Sequence, residues 1–497
     1  MTAIITEKFR QHNAEQFFES FSETSNTTYY LFIGKSLPYT TGTTGGNDSS
    51  PPTPADSVSG EFYNWDAMLA AKKIPSTDVS FAVPRVNFAN GTIYDMYDDT
   101  ISSSNTTTSG ASSLYAGNFY FVTSTNNVYK VLDNNGGAAY SGSEPSNTGT
   151  TPFASGGYIL KYMYNITASE ATKFLTSDYM PVSTDTTVSA AAVDGKIESL
   201  VITPGSGYTN GTYYAPVFGD GTSQGTASGG IVRITITGGS IASFGLTAGT
   251  DTTIHAGGAG YTFGNVNLSN VFSDSGLTSS SSVGGGTGAA VRIVISPKEG
   301  HGNDAVKELG GHFVITNTTL AQAEGDDLTV ANDFRQVGIV TDPYNYGTTT
   351  VASSNTARMT FVVKMSSSSG TFDVDEEITQ ATTGAVGRVV EFDASRNLLY
   401  YSQERFSTYG TAASTQSYTT FSGTNTITGS TSNATGTPSA TASETVTLAG
   451  GNTIAFTSGY AAPELQPDSG NIIYIENRKP IQRVSDQTED IKIIIEF

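Results

Sequence analysis

The chain has 497 residues, 24 Lys and Arg against 45 Asp and Glu, a formal net charge of −21, and no Cys. The length exceeds one ordinary domain and predicts roughly two to four. The thin negative charge disfavours phosphate backbones and anionic membranes as partners, so neither nucleic acid nor membrane is expected, and without Cys there are no disulfides or thiolate metal sites.

Gly 54, Tyr 26 and Phe 25, with only 14% charged residues, predict a mostly β chain. Aromatic and β-branched residues suit a pleated, half-buried surface, and Gly, Asn and Ser supply turns. The expected fold is a set of β-sandwich type domains with a few short helices and Gly-rich β inserts. The first ten residues carry Glu7, Lys8 and Arg10, which does not read as a secretory signal.

Asn13 with Gln16 three residues later reads as a helix start, leading to Phe17, Phe18 and Phe21 on one face. Tyr29 to Ile33 reads as a strand ended by Gly34. After a Pro-rich loop at Pro51, Pro52 and Pro54, the spacing of Trp65, Met68, Leu69 and Lys72 predicts a short helix stopped at Pro75. Asn118 to Thr123 and Val128 to Leu132 flank Asn126-Asn127, a hairpin signal. Tyr158 to Ile166 alternates as a strand, and Thr167 with Glu170 resembles a capping box.

From about 183 to 300 the texture becomes Gly-rich. Gly205-Ser-Gly-Tyr208-Thr recurs as Gly258-Ala-Gly-Tyr261-Thr, and each copy leads to a similar strand, Ile231-Val-Arg-Ile-Thr-Ile236 and Val291-Arg-Ile-Val-Ile295. That pattern predicts a duplicated β module. A helix is expected from Asp304 to Leu309 and a strand from Gln336 to Thr341. Between Phe406 and Pro463 the only charged residue is Glu444, a composition that suggests exposed hairpins or a loop region. Ile491, Ile493, Ile495 and Phe497 share one face of a terminal strand.

The C-terminal run Tyr474-Ile-Glu476-Asn477-Arg478-Lys-Pro480-Ile481, followed by Asp486-Gln487-Thr488-Glu489 and a final strand, resembles the baseplate wedge subunit of T-even-type contractile-tailed phages. So do Ala3-Ile4-Ile5-Thr6-Glu-Lys8-Phe9-Arg10, Phe32-Ile-Gly34-Lys-Ser36-Leu-Pro38, Pro54-Ala-Asp56-Ser57-Val58, Trp65 and Val83-Pro84-Arg85. Gly157-Tyr158-Ile-Leu-Lys-Tyr162 and Phe334-Arg335-Gln336-Val-Gly-Ile339-Val-Thr341-Asp-Pro343 also match. The matches run in order through 1–182, 334–346 and 463–497. The segments 183–300 and 348–462 have no counterpart in the best-known member, and their texture resembles Gly-rich β modules of phages that infect marine cyanobacteria.

The resemblance implies a homodimer in a baseplate wedge, contacts with other wedge proteins, a place in the virion tail after assembly in the host cytoplasm, no cofactor and no catalysis. The expected organisation is a discontinuous wedge core (1–100, 334–347 and 463–497), a second β domain (101–182), a duplicated insert (183–300), a mixed bridge (301–333) and a charge-poor insert (348–462). A receptor-binding or tail-fibre adhesin is the alternative. A polysaccharide-degrading spike is a third reading, but no carboxylate pair stands out for glycoside cleavage.

Three clusters invite a chemical reading. His301 and His312 lie near Asp304 and Glu308, either as metal ligands or as a capped, solvated helix. Asp373-Val-Asp375-Glu376-Glu377 lacks the Gly and distal Glu of an EF-hand loop, leaving an irregular calcium loop or an acidic turn. Glu476, Asn477 and Arg478 read as a structural latch between C-terminal strands or as a subunit-interface anchor, since a guanidinium suits carboxylate or backbone clamping.

Overall fold

The computed structural model describes residues 5–23, 27–39, 46–321, 332–405, 411–412, 417–483 and 487–497. Ala3 and Ile4 of the N-terminal match, residues 322–331 of the expected bridge, Phe406 and Asp486 lie outside them. The chain is mostly β with short helices. It divides into two compact units: Met1–Gln16, Ser80–Ile315 and Ile494–Phe497 form one, and Phe17–Val79 with Thr316–Ile493 the other.

In the first unit an antiparallel sheet runs in the order Tyr120–Val122, Asn127–Asp133, Tyr158–Asn165, Phe153–Ser155. The expected hairpin forms, with Asn126 at φ 63°, a left-handed position that Asn tolerates better than most residues. Both faces of the Tyr158–Asn165 strand are covered. Tyr158, Leu160 and Tyr162 pack with Tyr94, Phe121 and Tyr140, while Met163 and Tyr164 pack with Phe119 and Val122. The next helix, Ala168–Phe174, starts with the predicted capping box: the Thr167 hydroxyl accepts from Glu170 N–H, and the Glu170 carboxylate accepts from Thr167 N–H.

The Gly-rich segment exchanges strands between its two copies. The strand before the first Gly-x-Gly-Tyr, Ser199–Ser206, pairs with the last strand of the second copy, Thr287–Val294. The strand before the second, Thr253–Ala256, pairs with the last strand of the first copy, Ile231–Thr237. Between them Gly211–Gly219 pairs antiparallel with Gly264–Val266. The glycines of both motifs take matching left-handed φ: 61° and 79° at Gly205 and Gly207, 60° and 73° at Gly258 and Gly260. One hydrophobic core, with Tyr213, Val217, Ile234, Val271 and Ile293, serves both copies.

In the second unit a five-stranded sheet has the order Thr356–Arg358, Met68–Lys73, Tyr29–Gly34, Phe334–Thr341, Asn471–Ile481. Tyr29–Gly34 and Phe334–Thr341 are buried along their whole length. Gly338 is required there, because a Cβ would overlap the Phe32 ring. Two expectations are corrected. The first helix spans Glu7–Glu19, so Asn13 lies inside it and caps nothing. Helix Val58–Ala67 carries Trp65 but ends before Met68; Met68, Leu69 and Lys72 stand on the strand Met68–Lys73. Sheet pairing with Tyr29–Gly34 overrides the helical spacing.

The insert 348–462 builds one main sheet, to which its charge-poor second half gives the strands Ile427–Gly429 and Thr435–Pro438. Strands Leu398–Ser402, Val386–Asp393, Glu377–Gln380, Ile427–Gly429, Thr435–Pro438 and Phe361–Ser369 pair in that order. Phe361–Ser369 then pairs back onto Leu398–Ser402 and closes a barrel. Val363, Ile378, Val389, Leu399, Tyr401 and Ile427 are among the residues that fill it. The hairpin Ser443–Thr447/Thr453–Thr457 follows. The terminal strand Thr488–Glu496 pairs with Phe313–Ala321, with Ile491 and Ile493 buried.

Candidate interface residues and buried ion pairs

Glu476, Asn477 and Arg478 lie within strand Asn471–Ile481, at the edge of the five-stranded sheet. Asn477 stands opposite Gln336. Its Oδ1 accepts from Gln336 Nε2 at 2.9 Å, and its Nδ2 donates to Pro52 C=O at 3.0 Å, which ties the Pro-rich loop to this strand. Glu476 accepts from the Tyr474 hydroxyl at 3.1 Å. Arg478 lies 3.6 Å from Glu476, and both side chains keep 40% or more of their surface in solvent. So Asn477 is bound internally, while Glu476 and Arg478 present a loose, exposed pair of little stabilising value. Arg478 also lines a cleft of about 400 Å³ with Ile481, Phe334, Val337 and the terminal strand around Asp490.

The sequence singles out His301 and Glu308 but not their partner Lys130, which carries the strongest charge geometry. In the first unit Lys130 is fully buried. Its Nζ donates to Glu308 Oε2 at 2.8 Å and to His301 Nδ1 at 2.9 Å, and sits 3.9 Å above the Tyr97 ring centre. An ammonium only donates, so Nδ1 is the acceptor and the imidazole proton sits on Nε2. Glu308 Oε1 accepts from Gly302 N–H at 2.6 Å. Burial, then Lys130, push His301 down to about 4. Burial would raise Glu308, but the Lys130 charge beside it prevails and holds it at about 2. Lys161 and Glu198 form a second buried pair at 3.2 Å, shared with Lys196.

The helix at Ala305–Leu309 therefore uses its two acidic residues differently. Asp304 caps it by accepting from Lys307 N–H, and Glu308 turns inward to Lys130. His312 is apart from His301; its ring neighbours are Glu7, Arg10 and Glu496. Among the described residues no group of three His, Asp or Glu is placed to hold a metal ion. In the acidic run of the barrel, Glu376 accepts the N–H groups of Asp373, Thr431 and Ser432 and the Ser432 hydroxyl, so backbone donors take up its carboxylate.

In the second unit Arg335 grips Asp48 with Nε and Nη2 at 3.1 Å and also donates to Ser36 C=O. Arg405 binds Asp66 through Nε at 2.9 Å and through its own N–H at 2.8 Å, reaches Asp468, and lies over the Phe62 ring. Each guanidinium staples a loop with paired, charge-assisted bonds. The missed signal was scarcity: with 24 basic residues, a single Lys inside an apolar strand, as in Val128-Tyr-Lys130-Val-Leu132 or Ile159-Leu-Lys161-Tyr162, marks a buried ion pair.

These geometries are those of a packed scaffold with one exposed charged edge. No curated protein matches the chain. It is similar at both ends to the family described as Bacteriophage T4, Gp8, whose model matches residues 3–137 and 441–497, and that similarity supports a structural role in a phage baseplate wedge.

Proposed function

We propose that the protein is a homodimeric, non-catalytic subunit of the tail baseplate wedge of a contractile-tailed phage, assembled in the host cytoplasm and bridging neighbouring wedge proteins. The family similarity at both ends carries this reading. The matched segment 441–497 includes the edge strand with Glu476, Asn477 and Arg478. In this reading 1–100, 334–347 and 463–497 make the wedge core, 101–182 a second β domain and 301–333 a bridge. Segments 183–300 and 348–462 are additions in this reading, the second overlapping the family match from residue 441 on, and their Gly-rich texture supports a phage of marine cyanobacteria as the source. Asn477 acts as the latch that holds the edge strand, and Glu476 and Arg478 offer charge to a neighbouring subunit. Pro480, Arg478 and Lys479 guard that edge against indiscriminate strand pairing.

Sedimentation of the purified full chain at micromolar concentration tests the proposal. A dimer, together with its presence in purified tails, is the expected result. A monomer that is absent from purified tails overturns it.

A further inference from the structure

Arg292 and Arg233 occupy the same place in the two copies of the Gly-rich module. In each copy the motif Tyr receives a backbone N–H from the other copy. Ala289 N–H donates to the Tyr208 hydroxyl at 3.2 Å, and Gly230 N–H to the Tyr261 hydroxyl at 3.0 Å. Three residues on from each of those amides stands the arginine. The equivalence therefore rests on hydrogen bonding as well as on the shared Val-Arg-Ile sequence.

The two arginines have different surroundings. Arg292 receives a carboxylate from its own chain. Its Nη1 donates to Asp98 Oδ1 at 3.1 Å, Nη2 reaches the other Asp98 oxygen, and Asp99 accepts from Ile295 N–H at 3.1 Å. An acidic Asp-Asp loop thus docks on that face. Among the described residues no carboxylate is hydrogen-bonded to Arg233. Its Nε and Nη2 are buried without a hydrogen-bond partner among the described residues. Across the sheet it stands opposite Tyr214, which stands opposite Phe272. The exposed His255 packs its ring edge-on against Tyr214 at 5.3 Å.

A partly desolvated guanidinium with no carboxylate adds nothing to stability. A sheet face that brings Tyr, Phe and Arg side by side has the composition of an interface anchor. We propose that the face around Arg233, Tyr214 and His255 docks an acidic loop of a partner protein, whose carboxylate meets Arg233 at Nη1, the guanidinium nitrogen that is not buried, in the role that Asp98 has at Arg292. The occupant follows from the sister face, which holds a loop of that chemistry, and from charge complementarity. The proposal stands independently of the baseplate reading.

Fluorescence polarisation of a labelled peptide carrying residues 95–101, titrated with the full chain, tests it. Saturable binding is expected. It should weaken about tenfold in Arg233→Gln and in a peptide with both Asp98 and Asp99 changed to Asn, as for loss of a charge-assisted contact. Thermal unfolding supplies the control for folding: Arg233→Met should leave the midpoint unchanged or raise it, whereas Arg292→Met should lower it. Absence of saturable binding, equal affinity in Arg233→Gln, or a fall in midpoint for Arg233→Met as large as for Arg292→Met overturns the proposal. Binding of a galacturonate oligomer without binding of the peptide overturns it as well.

Discussion

Lys130, His301 and Glu308 are three ionisable groups buried from solvent, and each constrains the others. Removing one partner of such a pair strands the other charge. Lys130→Met should cost about 3–5 kcal/mol, and the double variant Lys130→Met/Glu308→Gln should recover part of that loss. Urea unfolding of the two variants beside the unchanged chain checks it, and a double variant no more stable than the single would refute the pairing. The same cluster sets a pH dependence. His301 is near 4 in the folded state against 6.5 normally, so between those values the unfolded chain binds the extra proton and stability falls as pH falls. Glu308, near 2 rather than 4.5, adds a further loss below pH 4.5 in the same direction. Protection of the Asn127–Asp133 amides from hydrogen exchange should therefore drop between pH 6.5 and 4.5. His301→Gln should flatten that drop, and an unchanged pH profile in this variant would remove His301 as its cause.

At the scale of elements, local chemistry was the most readable part of the sequence. The capping box at Thr167, the turn at Asn126, the cap at Asp304 and the strand Phe334–Thr341 each follow from neighbours in the chain. One local signal failed, the helix start at Asn13, which lies inside Glu7–Glu19; the other failures came where a distant strand decides the outcome. Met68, Leu69 and Lys72 have helical spacing, yet pairing with Tyr29–Gly34 makes them a strand. The barrel was hidden because its last two wall strands, Ile427–Gly429 and Thr435–Pro438, lie in the charge-poor stretch and carry Thr and Gly like a loop, and its closure pairs Phe361 with the distant Tyr401. In the candidate site, Glu476, Asn477 and Arg478 stood out as a motif, but the partner of Asn477 at Pro52 is set by tertiary contact. The duplication was legible as a repeat, whereas the exchange of strands was not. That exchange makes Gly286 essential to Tyr208 of the other copy, since a Cβ at Gly286 would overlap the Tyr208 ring. Gly286→Ala should destabilise by about 1–3 kcal/mol through overpacking. The neighbouring Gly285 meets nothing within 4 Å, so Gly285→Ala should be near neutral by the same chemical-denaturation assay. Equal effects at the two positions would contradict the packing.

For the whole molecule, the chain leaves the five-stranded sheet for the barrel and comes back from it at one point within the second unit. Arg358 C=O accepts from Glu464 N–H at 2.9 Å, and the Arg358 N–H donates to the Glu464 carboxylate at 2.9 Å. Arg358 Nη2 also reaches Ala462 C=O at 2.9 Å. Both ends of the barrel segment are therefore held together by hydrogen bonds outside it, and a short flexible linker can replace residues 361–461 with little loop-closure cost. The excision removes Arg405 from two carboxylates, Asp468, which is a third exposed, and Asp66, which is nearly buried. The shortened chain should therefore be made with Asp66→Asn, because an unpaired buried carboxylate costs several kcal/mol. With that change the five-stranded sheet should fold. If the dimer is built by the wedge core, as proposed, the shortened chain should sediment as the same oligomer as the full chain. A folded but monomeric product would place the dimer contacts on the barrel and remove them from the core.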